Sequence, residues 1–196
     1  MTGTGDKIFN ILLVGVGGQG TILASELLAR VLLAAGFDVK KSEVHGMAQR
    51  GGRVVSHVRF GKKVYSSLIV RGEADILVGF EMAETLRSLD WLSSGGRVLA
   101  ERKAILPYTS QVGEAPYPFD ALDRVRDAGF DLTVVDGEAL AEKTGEKKTA
   151  NVVLMGALAR YLPVERSTWE ETIKKNMPEK LVKMNLEAFE LGWGEK

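Results

Sequence analysis

The chain has 196 residues, 45% of them hydrophobic, which suits one compact domain with a sizeable core. Lysine plus arginine and aspartate plus glutamate number 26 each, so no net field draws the protein to nucleic acid or to an anionic membrane. The chain has no cysteine, which excludes disulfides, zinc–thiolate sites, a cysteine nucleophile and a cysteine-ligated iron–sulfur cluster within it. Its two histidines leave little material for a transition-metal site, and we predict none.

We expect neither a targeting signal nor a membrane anchor in this protein. The N-terminal segment lacks the basic region and long apolar stretch of a secretory signal peptide. No apolar run approaches the roughly 20 residues that span a bilayer. These features predict a cytoplasmic protein that contacts neither membrane nor nucleic acid.

The N-terminal segment has the order strand, glycine turn, helix, strand. Residues 8–14 form a continuous apolar run, typical of a strand that is buried on both faces of a parallel sheet. Apolar side chains recur at helical spacing over 21–35, and Gly36 is placed to end the helix. Residues 38–44 then form a second strand. This order predicts a βαβ unit that begins a Rossmann-like fold.

The next segment departs from this pattern. Residues 45–52, HGMAQRGG, have no periodicity and are predicted to form a loop. Residues 53–61 alternate as a strand does, and a turn separates them from the apolar run 64–70, so we predict that the two form an inserted β-hairpin. The alternation puts His57 on a solvated or subunit-facing side. The α/β pattern resumes after this hairpin, with a strand, a helix and a strand at 74–80, 82–92 and 96–101.

The remaining residues are mainly helical. A long connection, 102–119, precedes a helix, a strand and another helix, and an apolar helix follows at 149–162. Small residues in that helix favour close packing in the core. The fold class predicted is α/β: a three-layer, mostly parallel sheet with a Rossmann-like βαβ start, an inserted β-hairpin and a helical C-terminal end, about 149–192. We expect one domain over 1–196.

The glycine turn is the first candidate site. Gly15, Gly17 and Gly20 fit the G-x-G-x-x-G pattern, and a turn that presents backbone N–H groups at a helix N-terminus favours a phosphate. The alternative is a purely structural turn in which glycine permits close packing. A dinucleotide enzyme needs an acid at the end of the second strand. Glu43 is near that place, but its strand, DVKKSEV, is polar, which disfavours dinucleotide binding.

Three further candidates lie outside the glycine turn. Arg50, beside Gly51 and Gly52, offers a guanidinium fork and bare backbone N–H groups to a phosphate or carboxylate, or it belongs to an ordinary surface loop. His45 has no carboxylate or nucleophile spaced to pair with it, so the sequence favours a surface role. The pair Lys147–Lys148 is able to meet a phosphate, but its pattern favours a solvated basic turn.

Taken together, five segments resemble one family over about residues 8–192. They resemble the gamma-type module of 2-oxoacid:ferredoxin oxidoreductases, and within that family the small (beta) subunits of the indolepyruvate enzymes. The most specific piece is VHGMAQRGG, because other members of the broader family vary that loop. The segments are ILLVGVGGQG, SEVHGMAQRGGRVVSHVRFG, GEADILVGFE, TANVVLMGALA and PEKLVKMNLEAFELG.

The resemblance implies an activity that is shared with a partner. An arylpyruvate is oxidatively decarboxylated with coenzyme A, giving an aryl-acetyl-CoA, carbon dioxide and two electrons for ferredoxin. In the family, the large (alpha) subunit carries thiamine diphosphate and the iron–sulfur clusters. This chain has neither cysteines nor a thiamine-diphosphate motif; its nearest fragment, residues 136–138, lacks the first glycine and the downstream asparagines. We therefore expect no catalytic residue in this chain alone, no cofactor bound by it alone, and no activity without the large subunit.

The resemblance also suggests how the candidate residues are used, because the ADP-like part of coenzyme A is polyanionic. The residues expected to contact it are Gly15, Gly17, Gly18, Gln19, Gly20, Arg50, Gly51 and Gly52. The residues expected to face the large subunit are His45, Met47 and Gln49. Three alternatives stay open: the gamma subunit of a pyruvate or 2-oxoglutarate enzyme, a free-standing NAD(P)-dependent oxidoreductase, and a structural subunit that seals a partner's active site without touching a ligand.

Overall fold

The strands of the protein form one mixed sheet. A computed structural model describes residues 7–45 and 52–194, with His45 described by its backbone alone. Within these residues the strands are β1 Phe9–Val16, β2 Asp38–His45, β3 Arg53–Gly61, β4 Ala74–Gly79, β5 Leu92–Glu101 and β6 Asp131–Val135. They lie side by side in the order β2-β3-β1-β4-β5-β6.

Helices connect the strands and make up the C-terminal part. Short 3₁₀ turns occur at Leu89–Trp91 and Lys147–Thr149. In the part of the chain that the structure describes, no helix is both long and apolar enough to cross a membrane. The helices are α1 Thr21–Ala34, α2 Met82–Arg87, α3 Tyr108–Gln111, α4 Ala121–Asp127, α5 Gly137–Glu142, α6 Ala150–Ala159, α7 Arg166–Asn176 and α8 Glu179–Gly194.

The predicted fold class is confirmed, with one change at its start. Strands β1, β4, β5 and β6 are parallel, whereas β3 is antiparallel to both of its neighbours, β1 and β2. Strand β2 therefore runs parallel to β1, as a βαβ unit requires, but β3 lies between them. The helix α1 connects two strands that are not adjacent.

The predicted hairpin is wrong in its second strand. Strand β3 pairs with β2, with Val55 opposite Val44, and the apolar run 64–70 forms no strand. The carbonyls of Ser66 and Leu68 accept hydrogen bonds from the Arg59 guanidinium, each at 3.1 Å, so a side chain takes the place of a strand ladder. Val64 and Ile69 of this run are buried, and its other large apolar side chains are exposed.

His57 is a core residue, contrary to the prediction that it faces solvent or a subunit. It is 3% exposed, and its ring packs edge-on against Trp91, with 5.2 Å between ring centroids. Its Nδ1 accepts a hydrogen bond from the Ile69 N–H at 3.2 Å. Burial lowers the pKa of His57, and the positive charge of Arg59 lowers it further. His57 therefore acts as a neutral acceptor that anchors the 64–70 segment.

Both faces of the sheet are covered, and each cover forms its own core. Alternate side chains of β1 point to opposite faces: Ile11 and Leu13 pack with α1 and α6, whereas Leu12 and Val14 lie on the face that α4 covers. All four are fully buried. This two-sided burial explains why β1 is a continuous apolar run rather than an alternating one.

Helix α6 is buried along its whole length and crosses α8 at a very short distance. A Cβ on Gly156 would lie 2.1 Å from the carbonyl oxygen of Phe189, and a Cβ on Gly192 would lie 1.9 Å from that of Val153. Neither position has room for a methyl group. The small residues of α6 thus serve core packing, as the sequence indicated.

We predict that Gly156→Ala lowers the free energy of unfolding by about 2–3 kcal/mol, because the added methyl group forces the two helix backbones apart. This loss occurs although alanine is the better helix former by about 1 kcal/mol. Gly194→Ala, at a position with open space around it in α8, is the matched control and is expected to be neutral. Urea denaturation compares them; equal midpoints would mean that the crossing is not close.

Candidate functional site

A cleft of about 270 Å³ lies at the carboxyl ends of β1 and β5. Its walls are the glycine turn after β1, Glu101 at the end of β5, and the first residues of α6 with the turn before them. The helices that follow β1 and β4 pack on opposite faces of the sheet, so the connections diverge beside the glycine turn. In open α/β sheets, ligands bind outside the carboxyl ends of the strands at such a point.

Gln19 fixes the shape of the glycine turn. Its Oε1 accepts a hydrogen bond from the Val16 N–H at 2.7 Å, and its Nε2 donates to the carbonyl of Phe80, just beyond β4. A Cβ on Gly15 would lie 2.8 Å from Thr21 Oγ1 and 2.9 Å from Phe80 Cβ. The Gln19 side chain is thus committed to holding β1 and β4 together, and Gly15 is required by the close packing.

The other glycines of the turn have backbone donors without a partner among the described residues. Gly18 and Gly20 have φ angles of 104° and 78°, a region that favours glycine. Among the hydrogen bonds of the described residues, none uses the N–H of Gly18 or of Gly20. These donors lie at the N-terminus of the 14-residue helix α1, whose dipole also favours an anion. The turn is therefore able to bind a phosphate.

The predicted loop begins and ends beside this turn. The Gly17 N–H donates to the Gly52 carbonyl at 2.9 Å, so Gly52 lies against the glycine turn as the sequence hypothesis requires. The backbone of His45 pairs with Val54, which in turn pairs with Gly15. The candidates that fall within 46–51 lie outside the described residues, namely Met47, Gln49, Arg50 and Gly51.

The structure also brings the lysine pair before α6 to the cleft, although the sequence pattern favoured a solvated turn for it. Lys147 and Lys148 line the same cleft as the glycine turn. The Asn151 Nδ2 donates to the Gly20 carbonyl at 3.4 Å, and a Cβ on Gly20 would lie 2.6 Å from that amide nitrogen. Helix α6 is thereby held against the turn. The sequence signal was a lysine pair directly before an apolar helix, 127 residues beyond Gly20 and so not visibly its neighbour.

Glu101 is the functional candidate that sequence reasoning missed. It is 3% exposed, and its Oε1 has no hydrogen-bond partner among the described residues. Burial raises the pKa of this carboxyl to about 7, the carboxylates of Glu138 and Asp136 add to the rise, and Lys103 opposes it. A glutamate that ends a strand resembles a solvated edge residue in sequence, because nothing nearby in the chain reveals that helices cover it.

The charges of the cleft are largely paired at its rim. Lys103 forms an ion pair with Glu138, and Lys147 forms one with Glu142 at 2.6 Å, which raises the pKa of Lys147. Across 7–45 and 52–194, no group of three or more histidine, aspartate or glutamate side chains is arranged to hold a metal ion. The cleft therefore offers backbone donors and a rim of largely paired charges, beside a buried carboxyl of which one oxygen, Glu101 Oε1, has no partner among the described residues.

The position of Glu43 disfavours a dinucleotide site. Its carboxylate forms an ion pair with Lys41 at 2.5 Å and lies 3.4 Å from the Ser25 hydroxyl. Because β3 separates β2 from β1, the acid is not on the strand next to the glycine turn. In a dinucleotide fold the ribose-binding acid follows the strand adjacent to that turn.

Comparisons with known proteins agree on one family. A family profile described as pyruvate ferredoxin/flavodoxin oxidoreductase matches residues 10–195. A protein of Thermococcus kodakarensis named indolepyruvate oxidoreductase subunit IorB is 40% identical over 95% of this chain and 95% of its own. One of Archaeoglobus fulgidus named 2-oxoglutarate synthase subunit KorC is 28% identical over 94% of this chain and 86% of its own.

A solved structure has the same fold within a longer chain. The 2-oxoglutarate:ferredoxin oxidoreductase from Magnetococcus marinus, described with 2-oxoglutarate, coenzyme A and succinyl-CoA bound, matches 96% of this chain with a TM-score of 0.75. The sequence identity is 20%, and the match covers 31% of that chain. A single larger polypeptide there contains the fold that this chain forms by itself.

We predict that the effect of Glu101→Gln on the free energy of unfolding is more favourable at pH 8 than at pH 5. The folded-state pKa of Glu101 is raised to about 7 from the ordinary 4.5, so the native state holds the proton more tightly than the unfolded state. The unfolding free energy of the wild type therefore falls as pH rises through this window, by at most about 3 kcal/mol.

The glutamine variant has no proton to lose at this position. Its free energy of unfolding is therefore expected to decrease less than that of the wild type as pH rises. Urea unfolding at pH 5 and pH 8 measures the difference. Glu187→Gln, which removes a half-exposed carboxylate of α8 outside this cleft, is the control and is expected to keep the wild-type decrease. Equal pH slopes for Glu101→Gln and the wild type would contradict the assignment.

Proposed function

This chain belongs to the pyruvate ferredoxin/flavodoxin oxidoreductase family, and from that premise we propose that it is the small subunit of an arylpyruvate:ferredoxin oxidoreductase. The observation that carries the proposal is the 40% identity, over nearly the full length of both chains, to a protein named indolepyruvate oxidoreductase subunit IorB. Identity to a relative named for 2-oxoglutarate is 28%. A pyruvate or 2-oxoglutarate enzyme is thus the second candidate within the family.

The proposed reaction needs thiamine diphosphate and iron–sulfur clusters, and this chain lacks the residues that hold them. The oxidative decarboxylation converts an arylpyruvate and coenzyme A to an aryl-acetyl-CoA and carbon dioxide, and two electrons pass to ferredoxin. Without cysteine the chain has no thiolate to ligate an iron–sulfur cluster, and it lacks a thiamine-diphosphate motif. We assign both groups to the large subunit and derive no redox step in this chain, which is then inactive alone.

The contribution we assign to this chain is contact with coenzyme A. Three features support binding of the polyanionic nucleotide end: the N–H groups of Gly18 and Gly20, which have no partner among the described residues, the α1 N-terminus, and the two lysines in the turn before α6. The hydrogen bond from Gly17 to Gly52 supports a contribution from Arg50 to Gly52 at the same place. We further assign His45, Met47 and Gln49 to the contact with the large subunit.

Two other classes of function are less well supported. A free-standing NAD(P) enzyme conflicts with the position of Glu43, and tight NAD binding by this chain alone would favour it. A subunit that only seals a partner's active site gives no role to the glycine-turn donors that have no partner among the described residues.

We predict that Arg50→Ala raises the KM for coenzyme A in the complex with the large subunit by about tenfold, because a charge-assisted hydrogen bond to phosphate contributes roughly 1.5–3 kcal/mol. Rates of ferredoxin reduction at varied coenzyme A measure this, and native mass spectrometry measures assembly. Arg160→Ala is the control, since this exposed arginine follows the far end of α6. An Arg50→Ala complex with unchanged assembly and unchanged coenzyme A dependence would overturn the loop assignment.

A further inference from the structure

Strand β2 forms a long edge of the sheet. It pairs with β3 on one side and with no described strand on the other. Its register with β3 is unbroken from Asp38 to His45, so β2 contains no bulge, and its sequence contains no proline. Bulges and prolines are two of the devices that prevent an edge strand from pairing further. The strand at the other edge, β6, has five residues, whereas β2 has eight. Strand β2 is therefore the edge at which a further strand is able to add.

The side chains of β2 lie on two faces of the sheet. Lys41 forms an ion pair with Glu26 of α1 at 3.0 Å, and Glu43 lies 3.4 Å from the hydroxyl of Ser25 in the same helix. Lys41 and Glu43 also form an ion pair with each other at 2.5 Å. These two charges therefore lie on the face that α1 covers. The residues that alternate with them lie on the opposite face, namely Lys40, Ser42 and Val44.

Symmetry restricts how two copies of β2 are able to pair. A two-fold axis perpendicular to the sheet makes the two strands antiparallel and keeps each face of the sheet on the same side in both copies. Because residues opposite each other in a sheet share a face, one residue must lie on the axis, opposite its own copy. Two axis positions give the longest pairing within β2: Lys41, which pairs residues 38–44, and Ser42, which pairs residues 39–45.

Charge distinguishes these two registers. An axis at Lys41 places the two Lys41 side chains opposite each other, and like charges in opposite positions are destabilising. An axis at Ser42 places Lys41 opposite Glu43 of the second copy, twice by symmetry, so that four charges form an alternating network. It also places Val44, which is 53% exposed, opposite the aliphatic stem of Lys40. Strand β2 is thus self-complementary in the register centred on Ser42.

We propose that two copies of this chain associate through β2 about a two-fold axis at Ser42, which joins two six-stranded sheets into one of twelve strands. The two α1 helices then lie over the same face of the joined sheet, on either side of the axis. Ile22, one turn before Glu26 in α1, is 39% exposed and adds an apolar side chain to this region. The inference does not depend on the binding of coenzyme A.

The first test is disulfide cross-linking of the full chain, which has no cysteine of its own. Ser42→Cys places two thiols opposite each other with their Cα atoms roughly 4.5–5.5 Å apart, a distance that a disulfide bridges. Oxidation with copper phenanthroline in air, in which oxygen takes up the two electrons and two protons, is expected to shift this variant to twice the chain mass on a non-reducing gel.

Val44→Cys is the matched control, on the same face of β2 and more exposed than Ser42. In the proposed register its two thiols lie four residues apart along the strands, roughly 13–14 Å, which is beyond the reach of a disulfide. This variant is expected to stay at the mass of a single chain under the same oxidation.

The second test reverses charge and needs no cysteine. In sedimentation equilibrium the wild type is expected to dimerise, and Lys41→Glu is expected to raise the Kd of the dimer about tenfold, because both attractive cross-strand pairs become repulsive. Adding Glu43→Lys to Lys41→Glu places opposite charges across the axis again and is expected to restore the dimer. Circular dichroism checks that each variant is folded.

Three results would overturn the inference. They are a wild type that stays monomeric at its highest soluble concentration, a Val44→Cys variant that cross-links as readily as Ser42→Cys, and a double variant that dimerises as weakly as Lys41→Glu. A monomeric wild type whose Lys41→Glu variant fails to bind the large subunit would assign the β2 edge to that partner and not to a second copy. The effect of Arg50→Ala on the KM for coenzyme A tests the proposed function separately from all of these results.

Discussion

The hydrogen bonds of Gln19 hold the centre of this structure together. Its side chain joins the end of β1 to the end of β4, and Gly15 lets the two approach because no Cβ stands between them. This turn positions the N-terminus of α1. Its Gly17 N–H donates a hydrogen bond to the carbonyl of Gly52, just before β3, and Gly20 packs against Asn151 of α6. Residues far apart in sequence thereby meet at one edge of the sheet.

The same constraint explains why a glycine-rich turn need not indicate a dinucleotide. The spacing of Gly15, Gly17 and Gly20 is that of the dinucleotide pattern, and the turn keeps the geometry of an anion site. What differs is the sheet around it, because β3 lies between the first two parallel strands and moves Glu43 away from the turn. The ligand that such a turn suits is decided by the neighbours that the fold brings to it.

Sequence reasoning succeeded where the pattern is local. The apolar run of β1, the helical spacing of α1 and the small residues of α6 each predicted an element or a packing mode that the structure confirms. The fold class followed from their order, and close similarity in several segments indicated the family.

Sequence reasoning failed where a residue's environment is set by residues that are distant in the chain. The 64–70 segment is as apolar as a strand, but the side chains of Arg59 and His57 bind its backbone, and of its large apolar side chains two, Val64 and Ile69, are buried. Strand β2 is polar because it lies at the edge of the sheet. Lys148 and Glu101 line a cleft that is assembled from four separate segments, and no spacing within one segment reveals such a cleft.

We propose that this chain supplies a ligand-binding surface to chemistry that a partner carries out. Its most direct test mixes this chain with the large subunit from the same organism and follows ferredoxin reduction by indole-3-pyruvate and coenzyme A. We expect rapid, coenzyme A-dependent reduction of ferredoxin by the mixture and no reduction by this chain alone. Full activity of the large subunit by itself, or turnover by this chain without a partner, would contradict it.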